Sequence, residues 1–280
     1  MYPFWLELAS YAGIGILSGF FAGLLGIGGG AIIAPLLILI YSNMLSFSAD
    51  FATYMAIATA LGVIVLTAPV SALSHIRQNN INWRLAFFLS IGTTFGAIIG
   101  GRGAILLPAD LLKLFLIGFL FNNSFLLLFP RHRKPSNTIS ATEAKANTPA
   151  TKLLPVSFFF GAFSAVIGIG GGALTVPYLY RRQIPIHLAI GTSAFMVFPL
   201  AVAASIGYVW ASIGNSALPS NSFGYIYIPA LLSISLFAMV SAYVGARLSL
   251  RLPADKLRKI FGLLTAIIAL RLLWSIIAAL

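Results

Sequence analysis

The sequence predicts an all-α integral membrane protein of two homologous halves, each with about five apolar segments, arranged as inverted repeats. Three observations predict it. Only 8% of residues are charged, 60% are hydrophobic and mean hydropathy is +1.00, whereas a soluble domain is nearer a quarter charged. The apolar residues form long runs rather than short alternating ones, so the spans are helices and not barrel strands. One phrase also occurs twice. Gly26-Ile27-Gly28-Gly29-Gly30 has Pro35 five residues beyond it, and Gly168-Ile169-Gly170-Gly171-Gly172 has Pro177 at the same distance.

The first apolar run extends from about Leu8 to Leu25, with Gly15, Gly19 and Gly23 at the four-residue spacing that lets another backbone approach closely. It ends at the first glycine break, because each helical glycine costs ~1 kcal/mol relative to alanine. Ala31 to Tyr41 is apolar but about 16 Å long as a helix, half a bilayer, so a short broken or re-entrant helix is expected. Longer runs follow over 51–76, 85–107 and 111–129. The polar, basic and proline-containing stretch 130–152 reads as a cytoplasmic linker. The second half repeats the plan: 153–167 leads to the second break, 173–180 is short, and 187–212, 225–247 and 257–279 are long. The division is therefore 1–129, first transmembrane repeat; 130–152, linker; 153–280, second repeat. Gly100-Gly101-Arg102 and Leu107-Pro108-Ala109-Asp110 align with Gly245-Ala246-Arg247 and Leu252-Pro253-Ala254-Asp255 at one fixed interval, which supports a duplication.

The net charge of +12 resides in short loops between apolar runs, so it reads as a topology signal rather than a nucleic-acid surface. With the linker inside, Arg77, Arg84, Arg181, Arg182 and the basic residues of 247–259 also fall inside, and only Arg102 and Lys113 disagree. Both termini are then outside and the halves are oppositely oriented. The start, Met1-Tyr2-Pro3-Phe4-Trp5, lacks a basic n-region and an A-x-A-like cleavage site, so no signal peptide is expected. Cysteine is absent, which removes disulfides and thiolate metal sites, and neither a metal nor a cofactor is expected.

A break inside an apolar bundle survives only against protein or a watery cavity, and it supplies helix ends whose free N–H groups and positive dipole favour an anion. Two breaks at matching places in two halves point to a transporter's binding site. The candidate substrate-binding residues are Gly26, Gly28, Gly29, Gly30, Gly168, Gly170, Gly171 and Gly172, for a small anionic substrate. The plainer alternative is that these glycines only permit close helix packing.

Hydroxyls add donors without charge. Ala58-Thr59-Ala60 aligns with Gly191-Thr192-Ser193, so Thr59, Thr192 and Ser193 join the candidates, against the alternative that each bonds its own helix. The five carboxylates, Glu7, Asp50, Asp110, Glu143 and Asp255, map to segment ends or loops, so no intramembrane proton carrier is apparent. Outward anion movement would then run on the membrane potential. His75, Arg271 and Asp50 are candidates for gating or coupling, with an interfacial histidine and a snorkelling arginine as the alternatives. Asp50 follows the first break at a nucleotide-fingerprint distance, but no strand precedes the glycines. A channel-like anion pathway remains an alternative. So does, from a different class, an intramembrane serine hydrolase using Ser193 with His187; the protein is not expected to be an enzyme.

The duplicated break with its proline, the Ala/Gly-Thr-Ala/Ser step, and Asn79-Asn80-Ile81-Asn82-Trp83 after His75 and Arg77 together resemble the sulfite exporter TauE/SafE family of membrane permeases. The resemblance covers about 13–273 except the linker. It implies multi-pass residence in a bacterial plasma membrane and transport of sulfur-containing anions such as sulfite or organosulfonates. One departure is 207–224, where the second half lacks counterparts of His75 and Arg77. The lipid bilayer is the implied partner, nucleic acid is not, and a homo-oligomer is left open.

Overall fold

The computed structural model describes residues 4–25, 29–43, 47–129, 150–215, 218–219, 221–249 and 254–278. Among these lie ten helices. α1 is Phe4–Leu25, α2 Gly30–Asn43, α3 Ala49–Arg77, α4 Trp83–Ala104 and α5 Ala109–Leu128. Then come α6 Ala150–Ile167, α7 Gly172–Arg181, α8 Ile186–Ala211, α9 Ile228–Ser249 and α10 Ala254–Ile277. Seven, all but α2, α6 and α7, are long and apolar enough to cross a membrane. Positions 130–149 of the expected linker lie outside the described residues, and α6 starts at Ala150, inside that expected stretch.

α2 and α7 are the short helices expected after the breaks. Each carries its proline as the sixth residue, Pro35 and Pro177. Proline has no N–H, so the carbonyl four residues earlier loses its helical donor in both.

One element departs from the sequence reading. The run expected to be helical from Tyr225 begins as a hairpin, with β1 Ser222–Phe223 antiparallel to β2 Ile226–Tyr227 in the register Ser222↔Tyr227 and Phe223↔Ile226. Gly224, with φ +60, makes the turn that its neighbours could adopt only with strain. Tyr225 packs on the rings of Phe51 and Tyr54, and the Asn215 amide donates to its hydroxyl at 3.1 Å. The hairpin is therefore seated on α3.

Long-range packing crosses between the two ends of the sequence. α1 lies along α9, α6 along α4, α5 along α10, and α3 crosses α8. Glycine stripes make the first two pairs close. Gly15 faces the Ile234 carbonyl and Gly19 faces Ala238 and Ser241, while Gly92, Gly96 and Gly100 face Ser157, Phe158 and Ala162. In hydrocarbon, where lipid tails are as apolar as leucine, such close approach supplies the dispersion that holds helices together. At the crossing of α3 and α8 sits a separate buried cluster of Ile64, Ala68, Val197 and Ala201.

The two basic residues that oppose the positive-inside pattern are both engaged. The Arg102 guanidinium stacks 3.9 Å from the centre of the Trp210 ring. The Lys113 ammonium, its residue nearly buried, donates to Asp110 at 3.0 Å.

Candidate functional site

The second break is fully traced. α6 ends as the Ile169 N–H donates to the Ser164 carbonyl at 3.0 Å. Gly168 (φ +75) and Gly171 (φ +73) are left-handed, a conformation costing other residues roughly 1–2 kcal/mol. The Gly171 N–H donates to the Ile169 carbonyl at 2.7 Å, and the Gly171 carbonyl accepts from Leu174 at 3.1 Å and Thr175 at 3.0 Å, opening α7. The first break repeats this: the Gly29 carbonyl accepts from Ile32 at 3.0 Å and Ile33 at 3.1 Å, opening α2. The N–H groups of Gly30, Ala31, Gly172 and Ala173 thus precede the first intrahelical bonds, where a helix leaves its donors free. Gly26 and Gly28 lie outside the described residues.

The two breaks meet. A Cβ at Gly30 would stand 2.6 Å from the Gly168 carbonyl oxygen and 3.1 Å from the Ile169 Cα. Apolar side chains form most of the remaining wall, with Ile64 over Gly30 and Gly170, Val197 over Gly170, and Leu200 and Met196 over Gly171, and the Ser164 Oγ also stands 3.5 Å from a Cβ at Gly171. Residues 168–172 are all buried.

The two aligned threonines do something the sequence did not suggest. The Thr59 hydroxyl accepts the Tyr227 N–H at 3.0 Å, and the Thr192 hydroxyl accepts the Asn82 N–H at 3.0 Å. Tyr227 immediately precedes α9 and Asn82 caps α4. These two are separated by the same interval as Arg102 and Arg247. Each threonine thus anchors the start of a helix from the other half of the chain. Both are fully buried, and each keeps its own O–H to donate. Thr59→Val or Thr192→Val should therefore lower stability by about 1–3 kcal/mol, the cost of an unpaired buried N–H. Thermal unfolding of the purified variants, beside the Thr→Ser forms that keep the bond, checks it.

Ser193 is fully buried with no partner for its hydroxyl among the described residues, and it lies one turn from Val197 on the face turned to the second break. Ser164 and Thr175 share its condition and were missed in the sequence. Their signal was a mismatch between the halves: the first half has Ala22 and Ile33 in their places.

His75, Asp50 and Arg271 do not join the junction. Asp50 is exposed in the first turn of α3, and His75 lies in its last turn, some three turns beyond Ile64, with its buried Nδ1 unpartnered among the described residues. Arg271 is exposed on α10. His187 is exposed in the first turn of α8, on Ser193's own helix but six residues away, so it does not face that serine as a base would. Of the carboxylates, Glu7 lies in the first turn of α1, where its Oε1 accepts from the Tyr11 hydroxyl at 2.8 Å.

A bundle of apolar helices of spanning length, closed around buried helix ends, has the architecture of a multi-pass membrane transport protein. Residues 11–272 match the family described as "Sulfite exporter TauE/SafE". The chain belongs to that family, and it is a multi-pass cell-membrane protein. It is 31% identical over 262 residues to a "Probable membrane transporter protein" of Haemophilus influenzae, covering 92% of this chain and 95% of that one. It is 25% identical to the "Probable membrane transporter protein YdhB" of Bacillus subtilis, covering 92% and 97%. A "Probable membrane transporter protein" of Methanocaldococcus jannaschii is 24% identical, with 93% of each chain covered. No solved structure gives a significant match.

Proposed function

We propose that the protein is a permease for small anions, sulfur oxyanions such as sulfite or organosulfonates in particular, with its site where the two glycine breaks meet. The observation that carries this is the contact of Gly30, the first residue of α2, with Gly168 and Ile169 in the break that opens α7 at Gly172, which brings the two breaks to one buried place. Free N–H groups there suit an anion. The sulfur chemistry is suggested by the family to which the chain belongs.

The halves, 1–129 and 153–280 around the linker 130–152, act as inverted repeats about this junction. In support, Gly29 and Gly171 open their helices in the same way, Thr59 and Thr192 hold matched partners, and α1 on α9 mirrors α6 on α4. The short helices α2 and α7 act as re-entrant pieces that enter from opposite sides. Rocking of one half against the other would open the closed junction to each face in turn.

The test is flux through the purified protein in proteoliposomes, with radiolabelled sulfite, methanesulfonate and acetate. Saturable flux of the sulfur anions with trans-stimulation is expected, and efflux should speed up when the cytoplasmic side is made negative, at ~2.3 kcal/mol per charge per 100 mV. Absence of flux for every anion sinks the reading. Flux without saturation or trans-stimulation would leave the channel-like pathway.

Orientation is tested separately, because the chain has no cysteine of its own. Leu106→Cys and Ile213→Cys, at exposed loop positions, should react with a membrane-impermeant thiol reagent on intact cells. Gln78→Cys and Gln183→Cys, equally exposed, should react only after the membrane is opened. The reverse pattern inverts the topology.

A further inference from the structure

The junction is not symmetric in its chemistry, and the geometry points to a one-sided site. The hydroxyls of Ser164, Thr175 and Ser193, with the free N–H groups that open α7, form the donor set for a singly charged oxyanion at the second break. This rests on the permease reading and says which side of the junction holds the anion, with which groups, and what charge it carries.

Three fully buried hydroxyls stand on the three elements that meet at the second break. Ser164 lies in the last turn of α6, its Oγ 3.5 Å from where a Cβ of Gly171 would sit, at the N-terminal cap of α7. Thr175 lies in the first turn of α7. Ser193 lies on α8, one turn from the Val197 side chain that abuts Gly170. None has a partner among the described residues.

Serine and threonine in an apolar helix normally satisfy themselves on the preceding turn. Others in this protein do so: Ser10 on Leu6 at 2.8 Å, Thr67 on Val63 at 3.0 Å, Thr93 on Leu89 at 2.8 Å and Thr265 on Phe261 at 3.0 Å. Leaving a buried hydroxyl unmade is unfavourable, and three beside one break call for a ligand that accepts. Ser90, Ser205 and Ser235 are also unpartnered, but Ser90 lies on α4 and Ser235 on α9, neither of which flanks this break, and Ser205 is about three turns beyond Ser193 on α8.

The first break offers no equivalent. The matching positions are Ala22, Ile33 and Ala60, none with a donor side chain. Ser18, which touches Gly29, has its hydroxyl directed to the Gly15 carbonyl at 3.4 Å. Donors other than backbone are thus concentrated on one side.

Charge sets the class of anion. No Lys, Arg or His occurs in 153–180 or 188–211, the stretches that supply this donor set. Neutral donors must offset the whole desolvation of the anion, which rises with the square of its charge and is roughly fourfold larger for a dianion. A monoanion such as a sulfonate or hydrogensulfite fits; sulfate does not.

The experiment is methanesulfonate transport in proteoliposomes at pH 7.5, with sulfate as competitor. Ser164→Ala, Thr175→Val and Ser193→Ala should each raise KM about tenfold, the loss expected of a hydrogen bond to a charged group. Thr175→Ser should keep the native KM. So should Thr265→Val, a buried self-bonded threonine on α10, which supplies none of the donor set. Sulfate should compete at least tenfold less well than unlabelled methanesulfonate. Should an alanine variant be lost from the membrane, the near-isosteric Ser164→Cys or Ser193→Cys carries the same KM expectation.

Folded variants with native KM overturn the donor set while native flux leaves the permease reading standing. Sulfate competing equally well overturns the monoanion class alone. A native protein that carries no anion ends both.

Discussion

Gly30→Val should abolish transport, by at least about a hundredfold, while leaving a folded protein in the membrane. At this position even a methyl carbon would lie 2.6 Å from the Gly168 carbonyl oxygen and 2.9 Å from the Ile64 Cδ1. Ile64 can shift its flexible end, but the carbonyl belongs to the opposite break and can move only with it. The breaks must part by about 1 Å, and a misplacement of that size at a site commonly costs a hundredfold. Gly171→Val is the companion change. Its tight contacts are flexible side-chain ends, Leu200 at 2.8 Å and Met196 at 3.2 Å, with the Ser164 Oγ at an ordinary 3.5 Å, so its penalty comes mainly from the left-handed backbone. Initial rates in proteoliposomes, with size-exclusion profiles as the check on folding, decide it. A well-folded Gly30→Val at the native rate would separate the glycine junction from function.

Gly96→Val should have the opposite signature, loss of the fold itself. Gly96 is buried where α4 lies on α6, and a Cβ there would run into the Phe158 carbonyl, with the Phe158 carbonyl carbon at 2.8 Å and the Ala162 nitrogen at 2.9 Å. Every atom in the way is backbone of α6, so the helices must separate along the stripe that also includes Gly92 and Gly100. Overpacking of this kind costs about 3 kcal/mol or more. Loss of monodisperse protein on solubilisation is the expected result. Ile99→Val, on the exposed face of the same helix, should behave as native.

Much of this architecture was legible. The helices expected from apolar runs are present with ends displaced by a few residues, because length, hydropathy and glycine punctuation are local quantities. The hairpin at 222–227 was not legible, because Tyr225, Ile226 and Tyr227 run without a break into the apolar residues of α9 and only Gly224 marks the turn. Gly15 and Gly19 were read as a packing stripe, but the partner, α9, lies at the far end of the sequence. The roles of Thr59 and Thr192 were hidden for the same reason. Their alignment was visible, but the N–H groups they accept belong to residues more than a hundred positions away. Ser164 and Thr175 were overlooked because comparing the halves rewards matches, and their information is in the mismatch.

The pairing of α1 with α9 also bears on how the chain is assembled. About 200 residues separate the two helices, so at 5–20 residues per second the first helix waits roughly 10–40 s for its partner. During synthesis its glycine stripe faces lipid or the insertion machinery, and the first half enters the bilayer with one flank open. α6 has no such delay, since α4 is already present when it emerges. Biogenesis is therefore lopsided: the second half docks as it is made, whereas the start of the chain is sealed almost last. Damage to α9 should thus be felt at the N-terminus, as protease sensitivity of α1 in newly made protein.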